Sequence, residues 1–317
     1  MGSFQDLGSM AQEIVKKAQQ YDLQRKSYLE VDGEWRDMTG ERTQEMVDRD
    51  MADVSTKYAD VPGLFAPFES IPDPGAFDYE IGQLDSVLGK LSAGAKNQDP
   101  VGRSFYPANT TLDGMDTTAG YIQRWTGVAA STFKENFVDT FESVTQNQFL
   151  LTGVIKGALQ AQQGIWTGVR KDIVDIADKT LSGIEHCDDC GKNDWTMAFA
   201  VVGAVISIAA VPVTGGASLA LAAVGGAVAV GGTAIGNSDE APSEGYSGES
   251  AEAVVEAMRR AITSLKGHIT DAETKIQKAM NDNIGVVNAN RDLFVAPRPN
   301  LANADPGNVK DDFGVPR

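Results

Sequence analysis

The sequence has little of the histidine and cysteine on which many catalytic and metal sites depend. Its 317 residues include two histidines, His186 and His268, and two cysteines, Cys187 and Cys190. The sequence therefore offers almost no candidate residues for a catalytic triad that depends on histidine. We also find no phosphate-binding loop, no His-Glu-x-x-His pattern and no dinucleotide fingerprint. The sequence predicts a protein that is not an enzyme and that holds no metal and no other cofactor.

Positive charge and aromatic side chains are scarce as well. Lysine and arginine number 27 against 44 acidic residues, which gives a formal net charge of -17. Nucleic-acid binding needs a basic surface, so we do not expect this protein to bind nucleic acid. Any membrane role must then rest on apolar burial. Aromatic residues make up only 7% of the chain while hydrophobic residues make up 42%, a mixture that favours packed helices over a β-sandwich.

The two cysteines lie in the polar segment His186-Cys187-Asp188-Asp189-Cys190. A redox pair should stand beside a βαβ pattern, and none is visible. A structural zinc ion needs four ligands, whereas only His186 and the two thiols are close unless an aspartate joins them. We interpret the cysteines as plain loop thiols, with a local disulfide between Cys187 and Cys190 as the main alternative.

Charged residues are entirely missing between Trp195 and Ser238. Pro212 and Gly215-Gly216 divide this apolar run into two arms, Trp195–Val211 and Ala217–Gly236. Each arm is at or slightly below the ~20 residues with which a helix crosses a bilayer core. The sequence predicts a helical hairpin that inserts into a membrane or, alternatively, the buried centre of a helix bundle. The candidate membrane-inserting residues are Trp195, Phe199, Val205, Ile208, Leu219, Val224 and Val228.

Two long amphipathic helices are predicted on either side of this run. Apolar residues spaced by three and four extend from Val128 to Glu185 and again, without interruption, from Val255 to Ala279. Gly153, Gly157, Gly164 and Gly168 mark either a break in the first helix or places where another helix approaches it closely. The second helix is expected to begin after a cap at Ser250. The fold class we predict is all-α, an elongated helical bundle with long antiparallel helices.

The chain divides into segments of different composition. In order, they are an N-terminal helical hairpin (1–64), a Pro/Gly-rich linker with a short helix (65–108), a Trp-x-Gly hairpin and long helix (109–192), an apolar Gly-rich hairpin (193–237), an acidic linker (238–249), a long return helix (250–292) and a disordered tail (293–317).

The Trp-x-Gly motif comes at the junction of two helical patterns. Trp125-Thr126-Gly127 is followed by Val128-Ala129-Ala130-Ser131-Thr132-Phe133. We expect Gly127 to permit a backbone reversal and Trp125 to pack over the helix crossing. This stretch resembles the signature of the WXG family of type VII (ESX) secretion substrates, which are small helical hairpins exported by actinobacteria and their relatives. The resemblance covers residues 109–150.

The resemblance implies a secreted or cell-envelope protein that needs no conventional signal peptide. Its partners would be the type VII secretion machinery or a helical partner protein, with homo-oligomers a further possibility. The family's export signal, Tyr-x-x-x-Asp or Glu, is matched in letters by Tyr28 to Asp32, upstream of the hairpin rather than after it. The layout of long helix, charge-free hairpin and return helix also resembles that of α-helical pore-forming toxins, which implies membrane lipid as a partner.

Overall fold

The computed structural model describes residues 2–92, 97–112, 114, 120, 125–187, 193–200 and 243–296. Helices account for 73% of them, so the predicted predominance of helix is confirmed. The described helices are α1 (Leu7–Arg25), α2 (Gln44–Lys57), α3 (Val61–Glu69), α4 (Asp78–Leu91), α5 (Val128–Phe133), α6 (Phe141–Glu185) and α7 (Ala251–Ala289). Short 3₁₀ segments lie at Phe4–Asp6, Pro74–Phe77 and Arg291–Leu293, and a π-helical segment lies at Lys134–Val138.

Short antiparallel strand pairs accompany the helices. They are β1 (Tyr28–Val31) with β2 (Glu34–Asp37), β3 (Asn97–Gln98) with β4 (Phe105–Tyr106), and β5 (Asn193–Ala198) with β6 (Ser243–Gly248). None of these strands was expected from the sequence.

The chain divides into two compact units, each assembled from separate stretches of sequence. Unit 1 comprises Met1–Pro74, Gly164–Ala204 and Gly236–Ala272. Unit 2 comprises Gly75–Gln163, Val205–Ile235 and Glu273–Arg317. The long helices α6 and α7 each contribute residues to both units.

The core of unit 1 is built from apolar faces of α1, α3, α6 and α7. The fully buried side chains include Ile14, Phe65, Ile173, Ile176, Met258 and Leu265. Ser250 caps α7 as predicted, because its Oγ accepts a hydrogen bond from the backbone N–H of Ala253 at 3.2 Å.

The N-terminal segment 1–64 differs from the predicted helical hairpin. Helix α1 ends at Arg25, and a β-hairpin stands between α1 and α2. Asp32 and Gly33 form its turn with φ values of 54° and 84°. Two consecutive positive φ angles are characteristic of a type I′ hairpin turn, for which Asp-Gly is a favoured pair. The β-hairpin found in place of the predicted helical hairpin therefore has a local cause, the Asp32-Gly33 pair in the sequence.

Unit 2 has its own apolar core around α6. Its buried members are Leu88, Phe149, Leu150, Val154, Ala158 and Phe294. Phe294 belongs to the segment 293–317 that was predicted to be disordered, and burial of its ring corrects that prediction at its first residues. The side-chain amides of Asn147 and Gln148 also bind the backbone carbonyls of Leu293 and Phe294, at 2.9 and 2.7 Å.

The first long helix is interrupted, but not at its glycines. The π-helical segment and the turn at Asp139 and Thr140 separate α5 from α6. Gly153 and Gly157 instead lie where the loop after β3 approaches α6. A Cβ built on Gly153 would lie 2.6 Å from Cδ of Pro100, and one built on Gly157 would lie 2.6 Å from Cγ1 of Val101. Close approach, the second of the two predicted roles, explains both glycines, although a loop rather than a helix makes the contact.

Candidate functional site

The β5–β6 ladder joins the two sides of the charge-free run. Its register pairs Trp195 with Tyr246 and, at its end, Ala198 with Ser243. The first six residues of the predicted apolar hairpin 193–237 are therefore a strand, and the predicted acidic linker 238–249 contains its partner strand. Both corrections have one cause, because the two segments satisfy each other's backbone hydrogen bonds. We call β5, β6, Phe199 and Ala200 the neck.

Helix α6 holds the outgoing side of the neck at two places. The carboxylate of Asp172 is fully buried, and its Oδ1 accepts a hydrogen bond from the backbone N–H of Ala200 at 2.9 Å. About two helical turns further on, Nζ of Lys179 donates to the carbonyl of Thr196 at 2.6 Å. Between these anchors Phe199 is fully buried. The start of the apolar run is thereby tied to unit 1.

Glu244 of β6 holds the returning side of the neck on α7. The hydroxyl of Ser264 donates to its two carboxylate oxygens at 2.7 and 2.8 Å. The hydroxyl of Tyr246 donates to Oε2 at 2.5 Å, and Nε2 of His268 lies 3.2 Å from Oε1. Burial acts to raise the pKa of Glu244, but the hydrogen bonds from Tyr246, Ser264 and His268 outweigh it and leave this pKa below its ordinary value. Burial and the bond to Glu244 raise the pKa of Tyr246 to about 12.

His268 connects this polar cluster to the apolar run. Its ring centroid lies 4.9 Å from that of Phe199, with 52° between the ring planes. The imidazole is 24% exposed, so most of its surface is covered. A single cluster thus links β6, α7 and the residue at which the chain leaves β5.

The serine, histidine and glutamate of the neck do not form a nucleophilic triad. In a triad, the serine and the acid bind opposite nitrogens of the histidine ring. Here Oγ of Ser264 and Oε1 of Glu244 both approach Nε2 of His268, at 3.4 and 3.2 Å. The serine proton is also directed to the carboxylate rather than to the imidazole. The arrangement is suited to fastening β6 to α7 through a carboxylate.

The sequence-predicted membrane residues are only partly described. Trp195 lies within β5, and Phe199 is buried beside His268. Val205, Ile208, Leu219, Val224 and Val228 lie outside the described residues. Among the helices that are described, none combines the length and hydropathy needed to cross a bilayer.

The Trp-x-Gly residues stand at the start of α5 in unit 2. Gly127 has a φ of 108°, a conformation that L side chains rarely adopt. Its carbonyl accepts the backbone N–H of Ser131 at 3.1 Å. Trp125 is 62% exposed, and its ring centroid lies 6.3 Å from that of Phe133. Most of the predicted preceding helix lies outside the described residues.

Of the predicted export signal, Tyr28 is the first residue of β1 and Asp32 follows its last residue. Tyr28 is buried, and its hydroxyl donates to Oδ2 of Asp50 at 2.8 Å while Arg42 lies over its ring at 4.8 Å. Asp32 occupies the hairpin turn. The motif is therefore part of a folded β-hairpin, with its tyrosine covered.

Cys187 follows the end of α6. It is buried, and its Sγ donates to the carbonyl of Gly183 at 3.2 Å. Cys190 lies outside the described residues, so the disulfide stays a prediction. Within the described ranges, no three His, Cys, Asp or Glu side chains come close enough to hold a metal ion.

A buried charge cluster in unit 2 was not predicted from the sequence. Nζ of Lys156 on α6 lies 2.6 Å from Oδ1 of Asp85, 3.1 Å from Oδ2 of Asp99 and 3.0 Å from the hydroxyl of Tyr106. Burial acts to lower the pKa of Lys156, but bonds to these three groups raise it well above its ordinary value. The amine is therefore held as an ammonium ion. This cluster fastens the β3–β4 segment to α6.

Comparison of the chain with protein-family models, with curated proteins and with solved structures finds no match.

Proposed function

We propose that this chain is a non-enzymatic protein, exported by a type VII (ESX-like) secretion system, that contacts membrane lipid through the apolar run 195–236. The observation that carries the membrane proposal is the neck. The stretch with no charged residue from Trp195 to Ser238 begins in β5, and β6, which follows it in the sequence, pairs with β5. A loop whose ends are joined in this way would enter a bilayer as a hairpin, with both ends on the same side.

The energetics of transfer favour this use of the run. Burial of a large apolar side chain is worth about 1.5–3 kcal/mol, and the run offers many of them without a charge to oppose transfer. Its arms are at or slightly below the ~20 residues of one span, and as helices they would satisfy their own backbone hydrogen bonds.

The competing function is that of a soluble structural or partner-binding secreted protein whose apolar run stays buried as core. Two contacts favour it. Phe199 is fully buried, and Ala200 is bound to the buried carboxylate of Asp172. The first residues of the run are thus already part of a folded unit.

Flotation with lipid vesicles separates the two functions. We expect the purified protein to float with vesicles and to release an enclosed dye. The double variant Val205→Asp/Ala223→Asp should lose both activities, because a charge at mid-depth costs about 2.5–3.5 kcal/mol. The matched control, Ser238→Asp/Ala241→Asp, adds the same charges beside the existing acidic residues and should behave as the wild type. No binding by the wild type would favour the structural function.

The export proposal rests on the Trp-x-Gly stretch and on the positive φ of Gly127. Its test is the amount of protein in the culture medium of a host with an intact secretion system and of one lacking it. Equal amounts in both media would contradict the proposal.

The antiparallel arrangement of the long helices is part of the same proposal. In unit 1, a Cβ built on Gly183 of α6 would lie 2.9 Å from Cγ1 of Val254 on α7. In unit 2, Gln162 of α6 donates to Glu273 of α7 at 3.4 Å. The variant Gln162→Lys should therefore form a zero-length carbodiimide cross-link with Glu273. Loss of that cross-link in Gln162→Lys/Glu273→Gln is the control, and no cross-link in the first variant would contradict the pairing.

A further inference from the structure

Glu244 is the residue through which the returning strand of the neck is bound to α7. Its carboxylate accepts from Ser264, which lies on α7, and from Tyr246, and it faces His268. His268 in turn contacts Phe199 on the outgoing side. Loss of the negative charge on Glu244 would weaken both the hydrogen bond from Ser264 and the contact between Glu244 and His268.

Among the described hydrogen bonds of the neck, those between β6 and side chains of α7 are made by the carboxylate of Glu244. On β5 its ladder partner is Met197, an uncharged residue. On α7 the nearby ionisable groups are His268 itself and Arg260, whose charge acts on Tyr246. Helix α6 contributes Lys179 and Asp172, which bind the backbone of Thr196 and Ala200 on the outgoing side. Glu244 therefore joins the start of β6 to Ser264 and His268 of α7 through one carboxylate.

The sign of the pH dependence follows from the direction of the shift. The pKa of Glu244 lies below its ordinary value of 4.5. Its contribution to stability is fully present above that value and is lost as the pH falls through the lower folded-state pKa. Protonation would therefore remove the negative charge that Ser264, Tyr246 and His268 face.

The net charge of the chain changes in the same pH range. Its formal charge of -17 at neutral pH repels an anionic bilayer, and its pI is near 4.5. Below that pH the net charge becomes positive, so attraction to anionic lipid replaces repulsion. The neck loosens and the electrostatic barrier to an anionic surface disappears under the same conditions.

We propose that Glu244 is an acid-operated latch: protonation of its carboxylate detaches β6 from Ser264 and His268 and prepares the neck for contact with an anionic lipid bilayer. The effect of the latch on membrane contact rests on the proposed membrane function. The opening of the latch is a property of the protein alone. The two are therefore measured separately.

Hydrogen exchange without lipid tests the latch. Glu244→Gln mimics the protonated state, and at about pH 7 its β5 and β6 amides should exchange about tenfold faster or more than those of the wild type, as expected when hydrogen bonds to a charged group are lost. Glu34→Gln removes an exposed carboxylate from the β1–β2 hairpin and should leave these amides unchanged. Ser264→Ala, which keeps the charge, should give an intermediate increase and serves if Glu244→Gln does not fold. Unchanged exchange in both neck variants would overturn the latch.

Vesicle flotation between about pH 7 and about pH 4 tests its consequence. Wild-type binding to vesicles of phosphatidylcholine and phosphatidylserine should rise as the pH falls below about 4.5. For Glu244→Gln this rise should occur at a higher pH, whereas Glu34→Gln should follow the wild type. If the pH midpoint of vesicle binding is the same for the wild type and Glu244→Gln, the latch is not the trigger of membrane binding. Faster exchange in the variant with no binding at any pH would support the latch and overturn the membrane function.

Discussion

The ammonium nitrogen of Lys156 lies 3.1 Å from Oδ2 of Asp99, and both side chains are buried. The second oxygen of Asp99 accepts the backbone N–H groups of Val101 and Gly102, at 2.8 and 2.9 Å. One carboxylate thus organises the loop after β3 and fastens it to α6. Such a contact stabilises only while both charges are present, because a buried ion without its partner is strongly destabilising.

Replacement of Lys156 by methionine should expose this dependence. We expect Lys156→Met to lower the free energy of unfolding by about 3–5 kcal/mol, because the buried side chain of Asp99 loses its cation. The double variant Lys156→Met/Asp99→Asn should be less destabilised than the single one. Urea denaturation measures both. Lys278→Met removes a lysine that is 74% exposed and should change stability by less than about 0.5 kcal/mol. A similar loss for Lys156→Met and Lys278→Met would disprove the buried ion pair.

Gly157 should not tolerate a methyl group. The Cβ of Gly157→Ala would lie 2.6 to 2.8 Å from carbon atoms of Val101. Overpacking of this kind costs about 1–3 kcal/mol, which should exceed the ~1 kcal/mol that alanine gains over glycine within a helix. Gly267 on α7 has no such neighbour within 4 Å, so Gly267→Ala should raise stability. Thermal unfolding of the two variants checks the prediction, and two shifts of the same sign would contradict the loop contact.

Acid should remove a contribution of Asp37 in the β1–β2 hairpin. Burial acts to raise its pKa, but hydrogen bonds from Thr39 and Arg42 lower it from 3.8 to about 2. The stabilisation is fully present above pH 3.8 and is lost as the pH falls through about 2. Asp37→Asn should therefore be less stable than the wild type near neutral pH, and the difference should shrink in strong acid. Urea midpoints over this range provide the measurement, and a difference independent of pH would be the contrary result.

Gly127 should be needed for its backbone conformation rather than for space. No atom lies within 4 Å of a Cβ built on it, but its φ is 108°. Gly127→Ala should cost about 1–3 kcal/mol through backbone strain and should reduce export, as should Trp125→Ala. Gly285→Ala, at an open helical position, is the control for folding and secretion. Normal secretion of both motif variants would remove the functional meaning of the Trp-x-Gly stretch.

Local patterns in the sequence were sufficient for most of the helices. The spacing of Val255, Met258, Ile262 and Leu265 predicts one buried face, and all four side chains are buried. The sequence also contains the Asp32-Gly33 signal of the β-hairpin, although the surrounding charge pattern led us to predict helices there. Helix periodicity and turn chemistry depend on neighbours within a few residues, and so they can be recognised without a fold.

The neck and the Lys156 cluster were decided only by tertiary structure. Strand β6 reads Ser-Glu-Gly-Tyr-Ser-Gly, a composition with little strand propensity, and it becomes a strand because β5 supplies its hydrogen bonds from the other side of the apolar run. Lys156 sits on a helix where a lysine is normally solvated, and it is buried because the loop at Asp99 docks against α6. In both places the deciding partner is distant in sequence, so its effect on hydrogen bonding and burial exists only after the chain has folded.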